Sequence, residues 1–223
     1  VIGRIVSRRT RFTLVVELDG REEEVYCANS GALSTVLRED REVLCMPKSE
    51  VGRRTKFDGF AVRVDDFYVT IDSRFANGVF EELIQMKSVF PGFSVLLKEK
   101  QLPDYGRIDF VVQSKDGSIG YVEVKSCTHV VDGVAKFPDR PTERGRRHLR
   151  KLEELVLRGN QCWIVFVVQR PDATEFRPFR EVDHEFSELL ARAVKTGVRA
   201  KVFKIEFLPP NRLYFRGEIP IVL

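Results

Sequence analysis

Three residues in one short stretch carry the types and spacing that a cation-assisted reaction needs: Asp109, Glu123 and Lys125. Asp109 sits in Arg107-Ile108-Asp109-Phe110-Val111-Val112, and the other two in Tyr121-Val122-Glu123-Val124-Lys125. Both stretches alternate apolar and polar side chains, so both read as strands with one buried face. Between them, Ser114-Lys115-Asp116-Gly117-Ser118 holds an Asp-Gly turn signal, which predicts a hairpin. Side chains two apart on a strand share a face, which groups Glu123 with Lys125. A three-residue turn at 115–117, or a five-residue loop at 114–118, sets Asp109 opposite Glu123. Two carboxylates placed there repel unless a positive charge offsets them. A divalent cation held by both, with the Lys125 ammonium beside it, answers that need.

Asp, a variable gap and then Glu-x-Lys resembles the signature of the restriction-endonuclease-like superfamily of metal-dependent nucleases. The surroundings extend the likeness. Arg11-Phe12, the run from Val16 to Gly20, Cys27, Asn29, Gly31, Asn77, Glu82 and the stretch from Arg107 to Asp172 are similar to the sugar fermentation stimulation protein A family of bacteria and archaea. Tyr26 stands where that family usually has His, Gly106 where Ser is common, and Ser126 where Asn follows Glu-Val-Lys. The resemblance implies an OB-type barrel followed by a restriction-endonuclease-like mixed-sheet α/β domain, and DNA as partner. It also implies Glu82 as a further acidic site residue, and the Val124 backbone carbonyl as a third donor beside Asp109 and Glu123. The implied cofactor is Mg²⁺ or Mn²⁺, bound through oxygen and largely hydrated. Such an ion supports phosphodiester hydrolysis, with Lys125 orienting water or stabilising phosphate charge.

Composition sets the frame. The chain has 223 residues, 43% hydrophobic, enough for one large or two small domains with a proper core. No run of eighteen apolar residues suggests a membrane span, and the basic, β-branched opening carries no signal-peptide h-region, so the expected compartment is the cytosol. The four cysteines are scattered without a Cys-x-x-Cys pair and read as reduced core residues. The net charge is only +4, yet Arg140, Arg144, Arg146, Arg147, Arg150 and Lys151 face one acid, Glu143. That local excess of +5 exceeds that of the whole chain. On a helix, Arg144, Arg147 and Lys151 share an outward stripe, suited to phosphates. Arg140 and His148 join this expected nucleic-acid surface, and His148 could also reach the acidic pair.

Residues 1–72 read as the barrel: short strands broken at Asp19-Gly20, Asp58-Gly59 and Asp65-Asp66, with a helical turn near Leu33 to Leu37. An SH3-like barrel fits the same composition. Residues 73–223 read as the α/β domain. Asn77 is the candidate N-cap of a helix with Val79, Phe80, Leu83 and Ile84 inward. A strand follows near Phe93 to Lys98, then the hairpin, a loop from Thr128 to Asp139, and a helix from Pro141 to Leu157 stopped by Gly159. Trp163 to Val168 reads as a central strand buried on both faces, ending at Gln169, whose amide needs partners and is placed to hold Lys125 or a water. Val182 to Lys195 forms the next helix and Val198 to Phe207 the next strand. The expected function is DNA binding with a Mg²⁺-dependent nuclease site. The alternative is a non-catalytic DNA-binding regulator of sugar (maltose) metabolism on the same fold.

Overall fold

The computed structural model describes residues 1–50, 52–86, 89–102 and 106–223. Six strands open the chain: β1 (Ile2–Thr10), β2 (Thr13–Leu18), β3 (Arg21–Tyr26), β4 (Glu42–Pro47), β5 (Phe57–Val64) and β6 (Phe67–Thr70). Then come α1 (Phe75–Gln85), β7 (Phe93–Leu102), β8 (Gly106–Ser114), β9 (Ile119–Cys127), β10 (His129–Val131) and β11 (Val134–Phe137). The last elements are α2 (Glu143–Leu157), β12 (Gln161–Val168), β13 (Glu175–Pro178), α3 (His184–Thr196), β14 (Arg199–Leu208) and β15 (Arg212–Glu218).

The first five strands close a circuit in which β1 pairs β2 and β4, β2 pairs β3, and β4 pairs β5. The ring is completed by parallel pairing of β3 with β5 at Val25↔Phe57 and Tyr26↔Asp58. Five strands in this order make an OB barrel rather than an SH3-like one. Its interior is filled by Ile5, Leu14, Val16, Val25, Val43 and Val62. Leu33 and Val36, on the single turn closed by Leu37 N–H to Leu33 O (2.8 Å), also belong to this core.

β6 leads out of the barrel and meets β14 at Phe207↔Tyr68, so barrel and α/β sheet run into one another. Phe60, Phe75 and Phe207 pack edge-on at that junction, with ring centroids 5.1–6.4 Å apart. The α/β sheet continues β14-β12-β9-β8-β7, with β14, β12 and β9 parallel and β9, β8 and β7 antiparallel. β12 sends Ile164, Phe166 and Val168 to one core, under α2 and α3. It sends Trp163, Val165 and Val167 to the other, under α1. Continuous apolarity in this strand thus reports two covered faces.

Three elements depart from expectation. The α1 helix begins at Phe75, so Asn77 lies inside it rather than capping it. The α2 helix begins at Glu143 rather than Pro141, capped by Thr142, whose hydroxyl accepts from Gly145 N–H at 3.0 Å. The stretch expected as a loop from Thr128 to Asp139 is a hairpin, β10–β11, extended by parallel pairing of β11 with β13. Its turn is Asp132-Gly133, both at positive φ (49° and 77°), the conformation an Asp-Gly pair favours. All four cysteines are buried and free. Burial pushes the Cys27 and Cys45 thiols up to about 11, that of Cys162 to about 12, and that of Cys127 further still. None is an available thiolate nucleophile.

Candidate functional site

The hairpin register answers the geometric question first. Gln113 pairs Ile119 and Phe110 pairs Val122, with Ser114 N–H donating to Ser118 O at 3.0 Å. The turn is therefore the three-residue 115–117 form, and the paired ladder ends at Phe110↔Val122, one residue short of Asp109 and Glu123. Ile108 and Phe110 go to different cores although they are two apart. The strand therefore turns over at Asp109, and its carboxylate lies along the strand edge. There Asp109 Oδ2 accepts from Val124 N–H at 2.9 Å, and Asn77 Nδ2 of α1 donates to Oδ1 at 3.4 Å. Because N–H and C=O of one strand residue point to the same edge, the Val124 carbonyl faces this gap, where the β8–β9 ladder has ended.

Glu123 is almost wholly buried, at 1% exposure. Lys125 Nζ donates to its Oε1 at 2.6 Å, and the Nδ1 of His148 from α2 contacts the same oxygen. Oε2 is buried with no hydrogen-bond partner among the described residues. Burial alone would raise the Glu123 pKa, but the Lys125 charge and the His148 hydrogen bond outweigh it and hold the carboxyl down at about 2. Asp109 goes the other way. Burial, reinforced by the Glu123 charge, pushes it up to about 6 against the opposing pull of Lys125. The charge of Glu123 thus opposes ionisation of Asp109.

Both acids line one cleft of ≈ 500 Å³, together with Val124, Lys125, Arg140 and Arg144 of the α/β domain and Arg11, Asn29 and Gly31 of the barrel. Among the described residues no three His, Cys, Asp or Glu side chains converge as a metal-ligand group. The donors on offer are two carboxylates and a backbone carbonyl. An all-oxygen set of this size, with one buried oxygen unpartnered, fits a hard divalent cation that keeps several waters.

The other expected site residues divide. Glu82 is exposed on α1 and away from the cleft. It stands five positions, about 140° of helix turn, from the cleft-facing Asn77. Neighbouring Glu81 is paired with Lys98 at 2.8 Å. Gln169 is buried, its Nε2 donates to Ser126 Oγ at 2.5 Å, and its Oε1, the atom that could accept from Lys125, has no partner among the described residues. Arg144 and Arg147 are exposed on α2 and Lys151, one turn on, is half-buried, whereas Arg146 and Arg150 are tied to Glu185 of α3. His148, expected on the nucleic-acid surface, is 5% exposed and belongs to the acidic pair instead. Sequence reasoning missed Asn77 as a donor to Asp109, and it missed the barrel wall. There Asp139 Oδ2 accepts from Leu33 N–H at 2.8 Å, and Gly31 lies so near that a Cβ would come within 2.5 Å of Oδ1.

Profiles of two families match the chain: the SfsA N-terminal OB domain over residues 6–71 and the sugar fermentation stimulation protein RE domain over residues 74–211. The chain belongs to the sugar fermentation stimulation protein family. A homolog from Caldanaerobacter subterraneus subsp. tengcongensis is 34% identical, over 99% of this chain and 96% of that protein. One from Methanothermobacter thermautotrophicus is 37% identical over 98% and 95%. The structure of Pyrococcus furiosus SfsA in complex with Ca²⁺ matches with TM-score 0.92 and 25% identity, covering 100% of this chain and 95% of that one. The sugar fermentation stimulation family fold is thus an OB barrel joined to a restriction-endonuclease-like domain, and the chain follows it throughout. Among the described residues no helix is long and apolar enough to cross a membrane.

Proposed function

We propose that this protein binds DNA and hydrolyses phosphodiester bonds at the Asp109–Glu123–Lys125 cleft with Mg²⁺ or Mn²⁺. The observation that carries the reading is the buried, unpartnered Glu123 Oε2, beside a carboxyl pushed up to about 6, inside a cleft lined by arginines. Asp109, Glu123 and the Val124 carbonyl would hold the ion. When bound, it supplies an activated water and charge neutralisation at phosphorus. The chain's own groups do the rest. Lys125 Nζ, 2.6 Å from Glu123 Oε1, is the ammonium placed to stabilise charge growing on the phosphate. Among the described residues Arg11 and Arg140 have no side-chain ion pair or hydrogen bond, which leaves them free to hold flanking phosphates from both walls. The stripe of Arg144, Arg147 and Lys151 extends that contact along α2. The Ca²⁺ complex formed by the Pyrococcus relative supports a hard cation at this fold.

The test is incubation with single- and double-stranded DNA and RNA, with Mg²⁺ or Mn²⁺, beside a Lys125→Ala control and a filter-binding assay on the same samples. Metal-dependent cleavage of DNA by the wild type, absent in the variant, is the expected result. Binding without cleavage under any divalent ion would remove the enzymatic half and leave a DNA-binding regulator.

A further inference from the structure

His148 lies outside the donor set, yet its two ring nitrogens are both engaged. Nδ1 contacts Glu123 Oε1, and a carboxylate only accepts, so Nδ1 carries the proton. At the other nitrogen, Arg144 Nε donates to Nε2 at 3.4 Å, which requires Nε2 to be bare. Two contacts on opposite sides of the ring therefore select the same neutral tautomer. Lys125 Nζ is 3.2 Å from Nδ1, but an ammonium also only donates, and its proton goes to Glu123 Oε1.

Oε1 thus accepts from two donors on two elements, Lys125 of β9 and His148 of α2, while Oε2 accepts from none among the described residues. The terminal torsion of a glutamate is soft and roughly two-fold. Lys125 alone, on a flexible stem, would let the carboxylate turn and exchange its oxygens. An imidazole buried at 5% exposure, in a helix packed on the sheet, cannot follow such a turn.

We infer that His148 is a positioning residue for the metal site: its Nδ1–H fixes the Glu123 carboxylate so that Oε2 is the oxygen offered to the cation. The inference rests on the metal reading given above. It also makes Arg144–His148–Glu123 a continuous link between the basic rim and the acidic floor. Outer partners that orient a ligand in this way are worth ~10–100-fold in metal affinity.

The experiment is calorimetric titration of the full chain with Mn²⁺ and with Ca²⁺, without DNA, for the wild type, Asp109→Asn, His148→Asn and His148→Gln. An Asn amide nitrogen falls where Nδ1 stood and can donate to Oε1; a Gln amide falls where Nε2 stood and cannot. His148→Gln should lose ~10–100-fold in affinity and His148→Asn should recover most of it. Equal affinity in all three His148 forms would overturn the inference, as would equal loss in both variants, which would assign the effect to imidazole bulk. Should His148→Gln not fold, ¹⁵N spectra of the wild-type ring decide, since a proton on Nε2 instead of Nδ1 also overturns it. Failure of the metal reading itself looks different: the wild type then binds neither ion and matches Asp109→Asn.

Discussion

Asp109→Asn keeps the shape of the side chain, and its carbonyl can still accept from Val124 N–H, but it removes the charge. The ordinary carboxyl value of 3.8 is raised to about 6 here, by burial first and by Glu123 second. A carboxyl whose folded pKa lies above its unfolded one stabilises the fold fully only below the unfolded value. That contribution is lost as pH rises through the folded one. At ~1.4 kcal/mol per tenfold change in proton affinity, the interval from 3.8 to about 6 makes ionised Asp109 a cost of about 3 kcal/mol at neutral pH. In metal-free buffer at pH 7.5 the Asn variant should therefore be more stable than the wild type by up to about 3 kcal/mol. A chain of this size gains ~2–4 °C in Tm per kcal/mol. The advantage should shrink between pH 6 and pH 4 and vanish below. Saturating Mg²⁺ or Mn²⁺ should reverse the order, since an ion at ~1,000 times its Kd adds ~4.1 kcal/mol to the form that binds it. Urea unfolding across pH 4–8, with chelator or with metal, reads all of this. A variant less stable than wild type in chelator at pH 7.5, or a difference that does not depend on pH, would refute the account of Asp109 and Glu123 as a repelling pair.

Replacing Arg144, Arg147 and Lys151 with Ala should flatten the salt dependence of duplex binding by up to about three log–log units, at ~0.9 per phosphate contact; an unchanged slope would move the binding surface to the barrel. Gly31→Ala would put a Cβ 2.5 Å from Asp139 Oδ1 and force that carboxylate off Leu33 N–H. The expected loss is ~1–3 kcal/mol in chemical denaturation, and a neutral result would show that Asp139 is not what holds the barrel loop. Phe166, fully buried between Phe137 and Phe176 at centroid distances of 5.5 and 4.3 Å, should cost ~3–5 kcal/mol as Ala, read by the same chemical denaturation.

The hairpin was legible in the sequence because two independent signals agree there, alternation in both strands and Asp-Gly between them. The β12 strand was legible because only a strand covered on both faces stays apolar for so long. The β10–β11 hairpin was missed because strands of three and four residues show no periodicity, and because its partner β13 lies far along the chain. Its one local signal, Asp132-Gly133 between valines, was there to be read. Misplacing the start of α1 by two residues had a larger effect. It made Asn77 a cap, whereas inside the helix Asn77 is the residue that faces Asp109. His148 was readable as inward, since His148, Leu152 and Leu155 stand at helical spacings of four and three, and all three are buried. The surrounding run of arginines masked that pattern.

What no local pattern could disclose is that the cleft belongs to the junction of barrel and α/β domain. Asp139, just after β11, takes the Leu33 N–H of the barrel's helical turn. Arg170, just beyond β12, is 5% exposed, paired with Asp172 at 2.6 Å, and lies 3.4 Å from Thr35 Oγ1 of the same turn and over the Phe67 ring. Each such contact is worth only ~1 kcal/mol by itself. A guanidinium buried this deeply must keep its partners, however, because a stranded charge costs several times that. The turn from Leu33 to Leu37 is therefore tied to the α/β domain at Leu33 and at Thr35, next to the Asn29–Gly31 stretch that lines the cleft with Arg140. The acids sit on β8 and β9, but the arginines around them come from both sides of this seam, Arg11 from one and Arg140 from the other. A barrel displaced by loosening Asp139 or Arg170 would leave the β8–β9 hairpin and its acids intact and take Arg11 away from the positive charge a phosphate would meet.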